Sequence, residues 1–381
     1  MGRISTFKKS IVTQWRSIDR GILYSALLLM FFGLSLTFAA GPVVAERRNE
    51  WCSIFGQYQI SCFIYKHTMF MPVGILVLIG MALLPVQWAR RLSFLVFGGS
   101  LLGMVAVLLF GTHFQGASRW INVAGISVQP SEFAKPAFAV VVGWLLARSK
   151  LLHKSHGGIY ACIAYLITCF LLYKQPDFGM LLTVTAIFGI ELFLAGLPWK
   201  VIAFLVAAAA SLVPAAYFML EHVRNRIEAF LHPTTENAYQ VRQSMETLRT
   251  AGWFGKGPGE GVVKYTLPDA HTDFIMAVSA EEFGFLVSSV IVMTFMYVLF
   301  KGTTLVRQNN NYFAQLAVGG LLAQIAFQAI VNLGSTLNLL PTKGMTLPLI
   351  SYGGSSLVSM AFAFGLILAL TKQQTFSRGL E

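Results

Sequence analysis

Charge is scarce in this chain. Only 12% of its 381 residues are Asp, Glu, Lys or Arg, about half the share of a soluble domain, and the deficit runs along the whole length. That excludes an ordinary water-soluble enzyme and indicates an integral membrane protein. Acid is scarcer than base, with 16 Asp and Glu against 28 Lys and Arg. Cysteine is scarce too: there are four, with no CxxC, no HExxH and no paired Cys/His spacing, so a structural zinc site has no support. Collagen, coiled-coil and disordered signatures are missing. The basic N-terminus (Arg3, Lys8, Lys9, Arg16, Arg20) is followed by a long apolar run without a small-residue cleavage site. It reads as a retained first span and not as a cleaved signal.

What the chain has in abundance is apolar sequence, 56% of the total. Runs of bilayer-crossing length recur. They predict an all-α bundle of ten transmembrane helices near 21–44, 67–88, 92–112, 132–149, 157–174, 178–196, 200–220, 273–300, 312–333 and 352–371. An even count puts both termini on one side. The termini and the loops near 90, 150, 198 and 305 carry Arg90, Arg91, Arg148, Lys150, Lys154, Lys200, Lys301, Arg307, Lys372 and Arg378 with very little acid, so that side is cytoplasmic. Residues 1–20 are then a cytoplasmic segment, 21–371 the membrane domain and 372–381 a cytoplasmic tail. The net charge of +12 follows from this asymmetry beside an anionic lipid surface and is no sign of nucleic acid.

The loops are unequal. Residues 221–272 form one large outer loop, rich in Gly and holding Tyr239, Trp253, Phe254 and Tyr265 to pack with. Loops of this length are commonly functional. Residues 224–250 read as amphipathic helix near the membrane surface. The glycines from Gly252 to Gly261 allow tight turns, and without a βαβ context they do not make a nucleotide site. Cys162 and Cys169 read as inert residues within a span. Cys52 and Cys62 share an outer loop, where a local disulfide is open.

Polar constellations gather at the outer ends of the spans. Leu267 to Met276 packs Asp269, His271 and Asp273 into one short segment, with Glu281 and Glu282 just inside the span that follows. Ionisable groups at such a position point to function; the plainer alternative is a helix cap at Thr272 or Asp273. Ser118-Arg119-Trp120 is followed by Gln129-Pro130-Ser131-Glu132-Phe133-Ala134-Lys135, where Glu132 and Lys135 are helical neighbours. Lys174 to Gly179 is a tight turn around Asp177. Leu340 to Ser356 brackets an apolar, Gly-rich stretch with prolines, and includes Lys343, Ser355 and Ser356. Non-helical backbone at membrane depth persists only when buried or lining a cavity. Glu191, alone in its span, is expected to hydrogen-bond within the bundle.

Taken together, Ser118 to Trp120, Gln129 to Lys135, Gln175 to Asp177, Leu267 to Phe283 and Pro341 to Ser356 resemble the SEDS family of shape, elongation, division and sporulation proteins. The start of the Pro341 segment is similar to the division branch more than to the elongation branch. Met276 stands where the family usually has Phe. Ser118 stands where a second Arg is common, which weakens any claim of two adjacent arginines clamping a pyrophosphate.

The resemblance implies a peptidoglycan glycosyltransferase that polymerises lipid II on the periplasmic face of the inner membrane during septal wall synthesis. It implies a class B penicillin-binding protein and other division-complex membrane proteins as partners. Asp273 matches the family's catalytic aspartate and is the expected base. Arg119, Lys135 and Lys343 are expected to meet the pyrophosphate. Trp120, Glu132, Asp177, His271, Ser355 and Ser356 complete the expected substrate-binding set. No protein metal site is expected, although a divalent cation, Mg or Mn, could bridge Asp273 and the pyrophosphate with lipid oxygens as further ligands. Two other classes stay open, a lipid II flippase and a non-catalytic scaffold for the penicillin-binding protein.

Overall fold

The computed structural model describes residues 13–48, 51–54, 58–114, 117–123, 126–151, 156–198, 200 and 239–372, except 266, 268, 269 and 341–344; between 201 and 238 only isolated positions are described. Nine long helices form the bundle among these residues: α1 (Arg20–Arg48), α2 (Cys62–Leu83), α3 (Val86–Phe110), α4 (Pro130–Leu151), α5 (Gly157–Lys174), α6 (Phe178–Leu194), α8 (Ile275–Gln308), α9 (Tyr312–Thr336) and α10 (Gly354–Leu370). A shorter helix, α7 (Tyr239–Thr250), belongs to the long loop. Six of the nine are long and apolar enough to cross a membrane, and α6 and α10 are shorter apolar helices. The span expected at 200–220 lies outside the described residues.

Strands occur as well. β1 (Trp51–Ile54) and β2 (Tyr58–Ser61) form an antiparallel hairpin, and β3 (Thr112–Phe114), β4 (Ala117–Val123) and β5 (Ile126–Val128) a three-stranded meander. Both sit in connections between helices, so they decorate the helical bundle without altering its class. Cys62, the first residue of α2, is disulfide-bonded, while Cys162 and Cys169 are free; the side chain of Cys52 lies outside the described set.

Several boundaries depart from the sequence expectation, most instructively the one between the second and third spans. The second span was placed at 67–88, yet α2 ends at Leu83 and α3 begins at Val86. Leu84 and Pro85 are extended between them, because proline disfavours helical geometry in the residue before it and suits a helix start. The apolar run continues through this break, so hydrophobicity alone slides the boundary.

The core is a set of close helix crossings made by small residues, as expected where lipid offers no hydrophobic gain for helix pairing. A Cβ on Gly143 of α4 would lie 2.8 Å from Ala317 N of α9, and one on Gly365 of α10 would lie 2.8 Å from Leu78 O of α2. A Cβ on Gly33 of α1 would lie 2.7 Å from Leu349 O and 2.9 Å from Ile350 Cα. That last contact admits a non-helical segment, 345–353, into the bundle, with Met345, Leu347, Leu349, Ile350 and Ser351 all buried. Leu349 holds a left-handed φ of 62°, a strained conformation of the kind that clusters at functional sites.

Candidate functional site

The buried segment 345–353 and the first residues of α10 join two polar clusters that are far apart in sequence. On one flank is the turn that precedes α8. Ser351 Oγ donates to Thr272 O at 2.5 Å and accepts from Leu347 N at 2.9 Å, and Tyr352 N donates to His271 O at 3.0 Å. Asn332 of α9 donates from Nδ2 to both Asp273 O (3.0 Å) and Met345 O (2.8 Å). The backbone that carries Asp273 is therefore fixed from two sides. The His271 ring is buried between Phe63 and Tyr352, with ring centroids 4.7 Å and 5.5 Å away.

The alternative reading of Asp273 as a helix cap is overturned. α8 begins at Ile275 and its N-cap position is Phe274, which makes no side-chain capping bond. Neither Thr272 nor Asp273 occupies that position. Asp273 is half-buried in the turn.

On the other flank, Ser355 Oγ accepts from Gln129 N at 3.1 Å and donates to Ser127 O at 3.4 Å. Gln129 Nε2 reaches Asp177 Oδ2 at 3.4 Å. Asp177 is the N-cap of α6, accepting from Met180 N at 3.3 Å, and lies 3.7 Å from Arg119 Nε. Arg119 also donates to Gln175 O at 3.3 Å and to Pro176 O. Its guanidinium thus straps β4 to the α5–α6 turn and retains about a third of its side chain exposed (34%). Trp120, next on β4, pairs with Thr112 and is half-buried. Ser356 completes this flank through a 2.7 Å contact with Thr346 Oγ1.

Glu132 and Lys135 stand one layer deeper. They form a 2.8 Å ion pair with side chains only 3% and 0% exposed, and Glu132 O accepts from Ser359 Oγ at 2.7 Å. Closed on itself in this way, the pair shapes the wall behind the site and presents no surface to a ligand. Lys343 and Asp269 lie outside the described residues. The described members of the expected set thus lie at one end of the bundle around segment 345–356.

The sequence had flagged Glu281 and Glu282 as charges inside a span without finding their partners. Glu281 accepts from Val262 N (2.7 Å) and Lys264 N (3.0 Å) and lies 3.4 Å from Lys256 Nζ. Glu282 accepts from Gly259 N at 2.5 Å and is paired with Lys264 Nζ. Lys264 is itself buried and donates to Ala39 O (3.2 Å) and Gly259 O (3.1 Å). These carboxylates bolt the Gly-rich loop onto α8. Just after them Gly284 breaks the helix with φ 80°, where Phe254 and Gly255 press against it.

The match to a known family is decisive. Residues 21–376 fit the FtsW/RodA/SpoVE family of cell cycle proteins. The chain belongs to this family. Relatives include a probable peptidoglycan glycosyltransferase FtsW of Caulobacter vibrioides, 36% identical over 96% of this chain and 92% of that one. Another of the same description, from Taylorella equigenitalis, is 34% identical over 90% and 93%. Among solved structures, a peptidoglycan synthase complex described for its coordination of polymerization and crosslinking contains a chain similar over 94% of this one and 99% of its own, at 25% identity and a TM-score of 0.77. The rod shape determining protein RodA of Thermus thermophilus shares the family fold at a TM-score of 0.68, over 94% and 97%, with 24% identity.

Proposed function

We propose that this chain is a peptidoglycan glycosyltransferase that polymerises lipid II at the periplasmic face of the bacterial inner membrane during septal wall synthesis. The family membership and the FtsW relatives support the activity. The observation that carries the site assignment is the convergence on segment 345–356 of the Asp273 turn from one side and the Arg119–Asp177–Gln129 cluster from the other. Lipid II has a polyprenyl tail for the bilayer, a pyrophosphate at the interface and sugars outside. A polar site at one end of a helical bundle matches that layout.

In this reading the acceptor sugar hydroxyl attacks the anomeric carbon of the donor. Its proton passes to the Asp273 carboxylate as the new glycosidic bond forms, and the bond from that carbon to the pyrophosphate oxygen breaks. General-base help of this kind contributes about 10²–10⁴ in rate. Arg119 and Lys343 stabilise the departing pyrophosphate. His271, Ser355 and Ser356 hold the segment that positions these groups, and Glu132 with Lys135 holds the wall behind them.

Among the described residues no cluster of three acidic, histidine or cysteine side chains is placed to hold a metal. A divalent cation such as Mg or Mn would find one carboxylate, Asp273, and would have to take its other oxygens from the pyrophosphate. The described residues do not make such a site by themselves, and no step above is routed through one. We further place ten spans with both termini in the cytoplasm, and a class B penicillin-binding protein, alongside other division proteins, as partners. The peptidoglycan synthase complex is the support for the penicillin-binding protein.

The test is purified protein with its penicillin-binding partner and labelled lipid II, wild type beside Asp273→Ala. Glycan chains from the wild type and none from the variant, with equal partner co-purification, are expected. Chains from both would transfer the role to a scaffold. Lipid II translocation without chains would transfer it to a flippase.

A further inference from the structure

The buried carboxylates described so far all have partners. Glu191 of α6 is the exception. It is fully buried, and neither oxygen has a hydrogen-bond partner among the described residues. The hydrogen bond expected for it within the bundle is not formed with any of them. Its carboxylate is pressed against α9, where a Cβ on Gly320 would collide with Oε1. One helical turn further along α9 is Gln324, fully buried with both its Oε1 and its Nε2 unpartnered. A turn beyond that is Gln328, 1% exposed with Oε1 unpartnered. Positions 320, 324, 328 and 332 share one face of a helix. The row runs about 18 Å at helical rise, from Glu191 in the half of the bundle remote from Asp273 to Asn332, which holds the backbone of Asp273 and Met345.

Leaving several polar groups unpaired in a close-packed apolar interior is costly, and each such group calls for an explanation. Leucine at 191, 324 and 328 would pack without that cost. We propose that Glu191, with Gln324 one turn along α9 from its contact at Gly320, forms an intramembrane binding site for a monovalent cation, H⁺ or Na⁺, between α6 and α9, and that Gln328 continues the polar row toward Asn332. The donors are oxygens, which suit a hard cation. One carboxylate beside neutral amides balances a single positive charge and leaves a divalent ion uncompensated.

Among the described residues no resident cation already fills that role. α9 has no charged residue, and Glu191 is the sole one in α6. On α4, Lys135 is taken by Glu132 at the Asp273 end, Arg148 lies over Trp144, and Lys150 lies over Tyr312 at the opposite rim. On α5, Lys174 sits at the Asp273 end over Phe170, and Tyr165 is hydrogen-bonded to Thr185. Glu191 forms no salt bridge with any of these among the described residues.

The test is carbodiimide labelling of the full chain in lipid nanodiscs, read by peptide mass spectrometry. Dicyclohexylcarbodiimide adds to a protonated carboxyl in an apolar setting, and the acyl shift that follows leaves a stable N-acylurea. Labelling of Glu191 that falls as pH rises is expected, with loss in Glu191→Gln. If Na⁺ is the ligand, NaCl but not choline chloride suppresses labelling; if the proton alone binds, the two salts act alike. A second readout is the melting temperature. Wild type is expected to shift by several degrees with pH or Na⁺, as a ligand of the folded state requires, and Glu191→Gln to stay flat. The proposal is overturned if Glu191 labels to the same extent at every pH and in both salts. It is equally overturned if Glu191 never labels and wild type and variant melt in parallel under all conditions.

Discussion

Asp273 and the Glu281–Glu282 pair lie on one continuous stretch of chain, and the fold treats them in opposite ways. The two glutamates are fully buried and saturated, with three backbone N–H donors and two lysines between them. Asp273 is half-buried, in a turn whose backbone is held just before the N-cap position, Phe274. A carboxylate spent on backbone N–H groups is a fastener. Asp273 is positioned through its own main-chain carbonyl, which accepts from Asn332, and it keeps partial exposure. Charge inside an apolar run flags both and cannot tell them apart.

The contrast breaks most sharply at Asp273 itself. Asp273→Asn is expected to lower lipid II polymerisation on the order of a thousandfold, the range of a lost general base, with folding and partner binding intact. Asn keeps the size but cannot take a proton at neutral pH. Near wild-type chain synthesis by this variant would return Asp273 to a structural role.

The fastener should fail differently. Lys264→Met or Glu282→Gln alone strands a buried partner and is expected to cost about 3–5 kcal/mol, seen as a lower melting temperature in detergent or nanodiscs. The double variant should recover part of that loss. A single variant that melts like wild type while losing activity would mean the pair belongs to the chemistry.

Between these extremes lies Arg119. It both straps the α5–α6 turn and exposes part of its guanidinium, so Arg119→Ala is expected to reduce turnover about a hundredfold while the protein still accumulates in the membrane. Normal turnover would confine it to the strap.

The smallest effect is far from the site. Lys372 Nζ donates to Gln14 Oε1 at 2.5 Å and Leu84 O at 3.0 Å, and burial pushes its pKa down to about 8 from 10.5. The folded chain holds this proton less tightly than the unfolded one, so stability is reduced below about pH 8 and recovers as pH rises toward 10.5. Melting curves of wild type and Lys372→Met should converge over that window; a gap independent of pH would contradict the burial effect.

Much of this was legible in the residues. Apolar runs located the described helices, the turn read at Lys174 to Gly179 falls between α5 and α6, and the spacing of Glu132 and Lys135 anticipated their pairing. The proline-bracketed stretch before Ser355 pointed to a buried irregular segment. The rest depends on contacts that no local pattern encodes. Glu281 and Glu282 meet donors 17 to 25 residues earlier in the chain, across a loop whose conformation is set by left-handed glycines. The N-cap fell on Phe274, which side-chain preference would not select. The isolation of Glu191 became visible only once α9 was seen to present a glycine where a partner was expected.

The break at Gly284 has a mechanical consequence. It separates residues 275–283 from the remainder of α8, leaving a rod of about 14 Å at helical rise. One end of that rod is gripped by the loop through Lys256 and Lys264, and the other continues directly into Asp273. A protein that tugs on the loop therefore pulls a lever whose far tip is Asp273, the proposed base, and the long membrane-crossing part of the helix stays out of the linkage.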